Sequence, residues 1–479
     1  MSLELKKIDK QKVGFFRFKE LNGKYLITND IGDYSFLNPQ EFELFLSGKI
    51  EQACPDKYSE LQSKGFIRDR INFDDLSQRY AKKNAFLFQG PSLHIVVVTL
   101  RCDHRCIYCQ AGSQPLSAKG LDMDIPTAQK VVDRIFESPS KIITIEFQGG
   151  EPLVNWDTIK FIVGYAKKKN KEAKKDLWIS LVSNWTFINQ KTIKFLIRNK
   201  IHTCSSLDGP EGIHNKYRIA GNRKNTYKNT VKWLKRLRKE YKQANLYFKP
   251  SALSTITRFS LSYPKEIVDE YVNLGLEGIH LRPVNPFGAS KKIWERIGFS
   301  AKDFISFYKQ ALDYIIELNL KGINFHERFA LVFLTKILTD RDSGYLDIRS
   351  PCGAGIGQLA YNFNGDVYTC DEARMLSRLG DESFKLGNVK ENSYQELTDN
   401  PIIKTMSIAS CLDSFPGCNQ CVYKPYCGVC PLYNYIVNGN IFTKTPFLCK
   451  INTGILDYLF EKLQDEKIRN IFYRWVTGK

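Results

Sequence analysis

No run of apolar residues in this 479-residue chain reaches the eighteen or so needed to cross a bilayer, and the start, Met1 to Gly14, is polar and charged rather than signal-like. A soluble, unprocessed, cytoplasmic protein with no membrane partner is the expectation. Internal repeats and low-complexity tracts are also lacking, which sets aside a repeat architecture. Acidic residues are in short supply, with 51 Asp and Glu against 70 Lys and Arg and a formal net charge of +19. That balance favours an acidic partner through long-range attraction. Runs such as Lys167-Lys168-Lys169 and Lys174-Lys175 account for it equally well as a solvated helix surface, and nucleic acid is not the expected partner.

Cysteine, by contrast, is abundant. Thirteen thiols in a chain expected to stay in a reducing compartment point to metal ligands rather than disulfides. Cys54 and Cys204 stand alone, whereas most of the others fall between Cys102 and Cys109 or between Cys352 and Cys449. The length allows two or three cores and therefore several domains.

Short strands are expected over Val13–Leu21, Lys24–Asn29 and Asp33–Leu37, followed by helices over Gln40–Leu46 and Lys57–Ser63. This predicts a small α+β domain over residues 1–75, joined by a polar linker, 76–92, to a second domain. From Leu93 strands and helices alternate. Strands are expected at Leu93–Leu100, Lys141–Phe147, Leu177–Ser183, His202–Leu207, Leu246–Ser254 and Gly278–Val284. Helices fall between them at Thr127–Phe136, Trp156–Lys168, Gln190–Arg198, Tyr227–Tyr241 and Lys265–Leu274, with Ala301–Leu318 after the last. Six such rounds over 93–340 argue for an α/β fold with a partial (β/α)6 TIM-like barrel, whose chemistry sits at the C-terminal ends of the strands. Residues 341–450 are rich in Cys and Gly with few periodic segments, as in a metal-stapled domain. Helical periodicity returns over Ile451–Trp475 within a closing segment, 451–479.

Cys102, Cys106 and Cys109 form CxxxCxxC directly after the first barrel strand. Three thiolates leave one ligand position open, which suits a 4Fe–4S cluster with a free iron better than a closed four-ligand zinc site, although spacing alone admits zinc. The segment Cys102-Asp103-His104-Arg105-Cys106-Ile107-Tyr108-Cys109 resembles the signature of the radical S-adenosylmethionine (SAM) superfamily. The resemblance implies that the free iron binds SAM, which is cleaved reductively to a 5′-deoxyadenosyl radical. Gly149-Gly150-Glu151-Pro152 resembles the GGEP motif that receives the SAM amino group; glycines permit close backbone approach and Glu151 offers acceptors to an ammonium. Ser183-Asn184 stands where the family often has Thr-Asn-Gly, with Trp185 departing from that pattern. Ser205-Ser206-Leu207-Asp208-Gly209-Pro210, with His214 and Arg218, is similar to a stretch of peptide-modifying members. There Ser205 or Ser206, and Arg218, would contact the SAM ribose or carboxylate.

The second group reads Cys352, twelve residues, Gly365, four residues, Cys370, then Cys418-x2-Cys421-x5-Cys427-x2-Cys430 and Cys449. Seven thiols exceed one four-ligand site, so two metal centres are implied, zinc ribbons or iron–sulfur clusters. The arrangement resembles the SPASM extension of radical SAM enzymes, departing from it in one gap. By that resemblance Cys418, Cys421, Cys427 and Cys449 hold an outer auxiliary 4Fe–4S cluster, and Cys352, Cys370 and Cys430 an inner one whose fourth ligand is open. Asp371 occupies the position of a catalytic carboxylate base in anaerobic sulfatase maturases.

The N-terminal segment is similar in outline to winged-helix-like elements that bind a leader peptide along an open strand edge. With Glu146-Phe147-Gln148-Gly149-Gly150-Glu151-Pro152 it resembles maturases of the His-Xaa-Ser system. The whole resemblance implies a radical SAM/SPASM peptide maturase that abstracts hydrogen from a ribosomally made precursor, giving a crosslinked or oxidised product, with flavodoxin or ferredoxin as electron donor. Formylglycine formation on a sulfatase, and a non-catalytic zinc-stabilised peptide-binding adaptor, are the alternatives.

Overall fold

The computed structural model describes residues 8–221 and 225–478; the first seven residues of the expected N-terminal domain and the last of the closing segment lie outside the described residues. Strands β1 (Arg17–Leu21), β2 (Lys24–Thr28) and β3 (Tyr34–Leu37) form an antiparallel meander. Asn22 and Gly23 both take positive φ, 50° and 76°, as a two-residue hairpin turn with the strand twist requires. Helices Pro39–Leu46 and Pro55–Ser63 cover one face of this sheet, burying Ile27, Leu37, Phe42, Phe45 and Leu61. Asn38 and Glu41 cap the first helix reciprocally.

The other face of the sheet is not solvated. The Tyr34 and Phe36 rings pack against Phe460 in helix Pro446–Lys462. Thr28 Oγ1 donates to Val422 O (2.7 Å), the Tyr426 hydroxyl to Gly32 O (2.9 Å) and Arg17 Nε to Asn419 O (2.6 Å). The N-terminal domain is therefore seated on the Cys418–Cys427 segment and on the closing helix.

About half of the expected linker is helix, Phe73–Lys83, which begins three residues inside the expected N-terminal domain. It buries none of its own residues: Phe73, Leu76 and Tyr80 share one face at helical spacing, but Phe73 and Tyr80 stay exposed. Asn72 caps it, and Arg79 bridges Asp33 (2.6 Å) and Asp340 (3.1 Å), fastening it to both neighbours.

Strands β4 (Leu93–Thr99), β5 (Ile142–Gly149), β6 (Asp176–Ser183), β7 (His202–Ser206) and β8 (Ser251–Ile256) come next. After them come β9 (Gly278–Ile279), β10 (Leu281–Pro283), β11 (His326–Glu327), β12 (Gln358–Tyr361), β13 (Asp366–Tyr368) and β14 (Lys385–Asn388). Nine strands make one sheet in the order β10-β8-β7-β6-β5-β4-β12-β13-β14. Its six barrel strands are parallel, as the alternation predicts. β4 is an apolar run, Leu93–Thr99, because both its faces are covered. β8 starts at Ser251 rather than Leu246, since Phe248 turns aside to stack on the His202 ring (3.7 Å between centroids). The expected strand Gly278–Val284 divides at His280, with β9 pairing to β11 and β10 to β8.

The cysteine-rich region is joined to the barrel through backbone, because β12 pairs in parallel with β4 and leads into the antiparallel β13 and β14. The closing segment is two helices, Pro446–Lys462 and Glu466–Thr477, separated where Asp465 caps the second.

Phe460 is fully buried between both domains, against Tyr34, Tyr423 and Tyr426. Phe460→Ala is expected to cost about 3–5 kcal/mol, read as a lowered urea midpoint of the full chain, with Phe460→Leu retaining most of the stability.

Candidate active site and cluster sites

The C-terminal ends of the parallel strands open on one cavity of about 190 Å³. Cys102, Cys106, Cys109, Gly149, Gly150, Glu151, Asn184, Ser206 and Arg218 all line it. The loop carrying the three thiols leaves β4 and is held by backbone on both sides. Cys102 N donates to Gln114 O (2.8 Å), Arg105 N to Ile219 O (2.7 Å) and Ile107 N to Tyr217 O (2.9 Å). Burial pushes the Cys106 thiol up to about 12 and raises Cys102 further, so their thiolate forms need a metal's charge beside them.

Gly149 has φ +126°, and a Cβ there would stand 2.4 Å from Thr99 O. A Cβ on Gly150 would stand 2.3 Å from Arg101 O. Both glycines are thus required first by the backbone that launches the cysteine loop, and only then by whatever enters the cavity. Glu151 is buried, and its carboxylate accepts from Leu153 N (3.0 Å), Ser183 Oγ (2.8 Å) and Asn184 N (2.8 Å). Burial nevertheless pushes it up to about 7, a group poised to ionise when a cation arrives.

Asn184 Nδ2 donates to Asp103 Oδ1 (2.9 Å), tying the end of β6 to the cysteine loop. Trp185 stands where the family pattern has glycine and takes the glycine-like φ of +64°. That conformation costs roughly 1–2 kcal/mol in an L-residue; the indole is fully buried, with its Nε1 unpartnered among the described residues, so only the apolar burial of the ring works against that cost.

Alternation along β7 separates the two serines. Ser206 faces the cavity, whereas Ser205 is fully buried on the opposite face with its Oγ unpartnered among the described residues. Arg218 is not free: Nε and Nη2 pair with the two oxygens of Asp208 at 3.0 and 3.2 Å. Burial disfavours its charge, but Asp208 holds the proton on more firmly than usual. Nη1 lies 4.0 Å from Cys106 Sγ. Asp208 also accepts from the Tyr108 hydroxyl and from Thr255 N (3.0 Å). Its part as a hub escaped the sequence reading, as did Gln110, Gln148 and Thr255 on the cavity wall; only the adjacency of Asp208 to the paired serines marked it.

Asp371 is buried at the start of helix Asp371–Ser377, bonded by Arg374 Nε at 2.6 Å, and does not line the cavity. Arg374 Nη1 reaches Ala111 O (3.4 Å), so the pair braces the segment after Cys109. Its neighbour Glu372, pushed up to about 7 by burial, lines a separate cavity with Arg282, Asp347 and Cys430.

Cys418, Cys421, Cys427, Cys430 and Cys449 line a further small cavity. Cys352 and Cys370 are buried in one apolar cluster with Cys430 at its margin, and burial pushes Cys352 up to about 12 and raises Cys370 and Cys430 further. Among the described residues no three His, Cys, Asp or Glu side chains stand close enough for a single ion. A cubane, whose irons occupy separate corners, spreads its thiolates wider, and the cavities ringed by sulfur fit such a group.

The family description "Radical SAM superfamily" matches residues 96–249, and the "Iron-sulfur cluster-binding domain" of SPASM type matches 352–431. This chain is a radical SAM/SPASM enzyme. The two domains imply a 4Fe–4S cluster with SAM plus auxiliary iron–sulfur clusters. The cysteine-type anaerobic sulfatase-maturating enzyme of Clostridium novyi (strain NT) is 24% identical over 347 residues, 70% of this chain and 86% of its own. The structure of native anSMEcpe with bound AdoMet and Kp18Cys peptide shares the fold with a TM-score of 0.65 at 19% identity, covering 80% of this chain and all of its own. Streptococcus suis SuiB bound to precursor peptide SuiA does so with a TM-score of 0.53 at 14% identity, covering 91% of this chain and 99% of its own.

The raised Glu151 has a definite sign. The fold favours its acid form, so the stability that form contributes is full below about pH 4.5 and is lost as pH rises through about 7. Between pH 5 and pH 8, Glu151→Gln is expected to gain about 2.5 kcal/mol on the parent, whatever their offset at pH 5, measured by urea unfolding of the cluster-free full chain.

Proposed function

We propose that this radical SAM/SPASM enzyme modifies a ribosomally made peptide by hydrogen abstraction, giving a crosslinked or oxidised product. The observation that carries the reading is the convergence on one cavity of the three thiols, Gly149 to Glu151, Asn184, Ser206 and Arg218. In this reading Cys102, Cys106 and Cys109 hold the cluster, and with SAM it supplies a carbon-centred radical. Glu151 and the backbone of Gly149 and Gly150 receive the SAM ammonium. Ser206 and Asn184 offer hydrogen bonds along the wall. Arg218 is oriented by Asp208 and leaves Nη1 for an anion. Ser205 faces away from the cavity, whereas Asp371, outside its lining, is paired with Arg374, which reaches Ala111 on the wall. Cys418, Cys421, Cys427 and Cys449 hold the outer auxiliary cluster, and Cys352, Cys370 and Cys430 the inner one. A flavodoxin or ferredoxin delivers the electron.

Peptide modification is favoured over sulfatase maturation by the N-terminal domain. The SuiB likeness covers 91% of this chain against 80% for anSMEcpe, and the uncovered part is smaller than residues 1–75, so the likeness runs into that domain. The β3 edge is guarded rather than open: Lys64 Nζ donates to Tyr34 O (2.8 Å) and Lys57 Nζ to Phe36 O (3.2 Å), with Glu60 between them. A peptide adding there would displace both ammonium groups from backbone and offer its own carboxylates to them, which suits an acidic leader. The sulfatase relative keeps the second reading alive.

Anaerobically loaded protein given SAM and dithionite is expected to release 5′-deoxyadenosine, and replacement of Cys102, Cys106 and Cys109 by Ala to abolish it. No 5′-deoxyadenosine from fully loaded protein, with or without peptide, would overturn the radical reading. Lys57→Glu with Lys64→Glu is expected to lower modification of a leader-bearing peptide about tenfold or more while sparing peptide-free SAM cleavage. Undiminished turnover of a sulfatase peptide by that variant would favour formylglycine formation.

A further inference from the structure

The two auxiliary thiol groups sit in different electrostatic surroundings. Around the outer one, Lys444 Nζ lies 3.7 Å from Cys418 Sγ and Asn452 Nδ2 lies 3.7 Å from Cys427 Sγ. Among the described residues no carboxylate pairs with Lys444, and Cys449 and Cys421 also feel its charge. Lys336 is enclosed behind Cys427, its Nζ donating to Ile348 O at 2.5 Å, and Lys19, paired with Asp457, stands on the Cys421 side.

The inner group has no unpaired ammonium of that kind among the described residues. Asp347 and Glu372 share a cavity with Cys430 and Arg282. The cations there are already engaged: Arg282 faces Glu372 at 3.7 Å, and Arg349 is paired with Asp342. The sulfur contacts are uncharged, Tyr433 N to Cys430 at 3.5 Å and Thr369 Oγ1 to Cys370 at 4.0 Å.

Adding an electron to a thiolate-bound cluster adds negative charge, which an adjacent unpaired ammonium stabilises more strongly than a neutral amide N–H or a cation already paired with a carboxylate. We propose that Lys444 and Asn452 are tuning residues that make the cluster held by Cys418, Cys421, Cys427 and Cys449 the more easily reduced of the two auxiliary clusters. The inference rests on the cluster assignment above. It fixes a polarity: the end of the SPASM domain on which the N-terminal domain sits is the end where an electron rests.

The test uses full-length, cluster-loaded protein with Cys102, Cys106 and Cys109 replaced by Ala, so that only the auxiliary clusters respond. Potentiometric titration followed by electron paramagnetic resonance is expected to give two one-electron waves. Lys444→Gln should move the higher wave alone to more negative potential, Asn452→Leu should do the same, and Lys444→Arg should leave it in place. Movement of the lower wave by Lys444→Gln, or of neither, in protein with iron and sulfide for two clusters would overturn the ordering. Iron and sulfide short of two clusters in the parent would instead overturn the cluster assignment. An unfolding midpoint unchanged in Lys444→Gln separates tuning from a merely structural effect.

Discussion

The geometry of the cavity depends on one buried carboxylate. Asp208 is fully enclosed just beyond β7 and binds three elements at once: Tyr108 from the cysteine loop, Arg218 from the segment after the next helix, and the backbone of Thr255 in β8. A charge so placed is tolerated only because Arg218 answers it in two-point geometry and the remaining lone pairs are filled. In return it fixes the loop from inside, while the backbone bonds from Arg105 and Ile107 to Ile219 and Tyr217 fix it from outside. Three thiols on a loop would otherwise have many arrangements; here the loop is clamped by the same helix-flanking segment that carries Arg218.

The opposite wall is fixed by exclusion rather than by attraction. Any side chain at 149 or 150 would collide with the carbonyls of Thr99 or Arg101, so the β5 exit and the β4 exit approach as closely as backbone allows. Asn184 then links the β6 exit to Asp103. Trp185 shows that the next position needs a backbone conformation more than it needs glycine. Its positive φ is the one glycine would adopt without strain, and the indole that replaces glycine there is fully buried.

Much of this was legible because the signals were either covalent spacing or strand pattern. The apolar run of β4 and the CxxxCxxC after it marked the end of the barrel where the first cavity opens, and the Cys418 to Cys449 spacing marked five thiols that line another. Side-chain direction was not legible in the same way. Two adjacent serines differ only in strand phase, and a shift of one residue decides that Ser206 and not Ser205 faces inward. The pairing of Arg218 with Asp208, and of Arg374 with Asp371, depends on which charges a fold brings together, and no local pattern encodes that. Helix Phe73–Lys83 has a short apolar period, Phe73, Leu76 and Tyr80, set among charged residues, and the ion pairs of Arg79 to distant Asp33 and Asp340 that fasten it have no local signal.

Because β12 pairs with β4, the cysteine-rich region is not a separate body tethered to the barrel. The strand that launches the cysteine loop is hydrogen-bonded on one side to β5, which ends in Gly149, and on the other to β12, which comes after Cys352. Cys370 lies just beyond β13 in the same sheet. Two of the three thiol groups are therefore referred to one hydrogen-bonded frame, whose strand spacing of roughly 4.8 Å is set by backbone chemistry rather than by side-chain packing. The third group is referred to it through the closing helix, which carries Cys449 and packs on the barrel helix Ala301–Leu320. The relation among the thiol groups is therefore set first by backbone pairing and helix contacts, and the cavity-lining Gly149, Gly150, Asn184 and Arg218 then hold the cysteine loop to that frame, so substitutions at those four positions would disturb it.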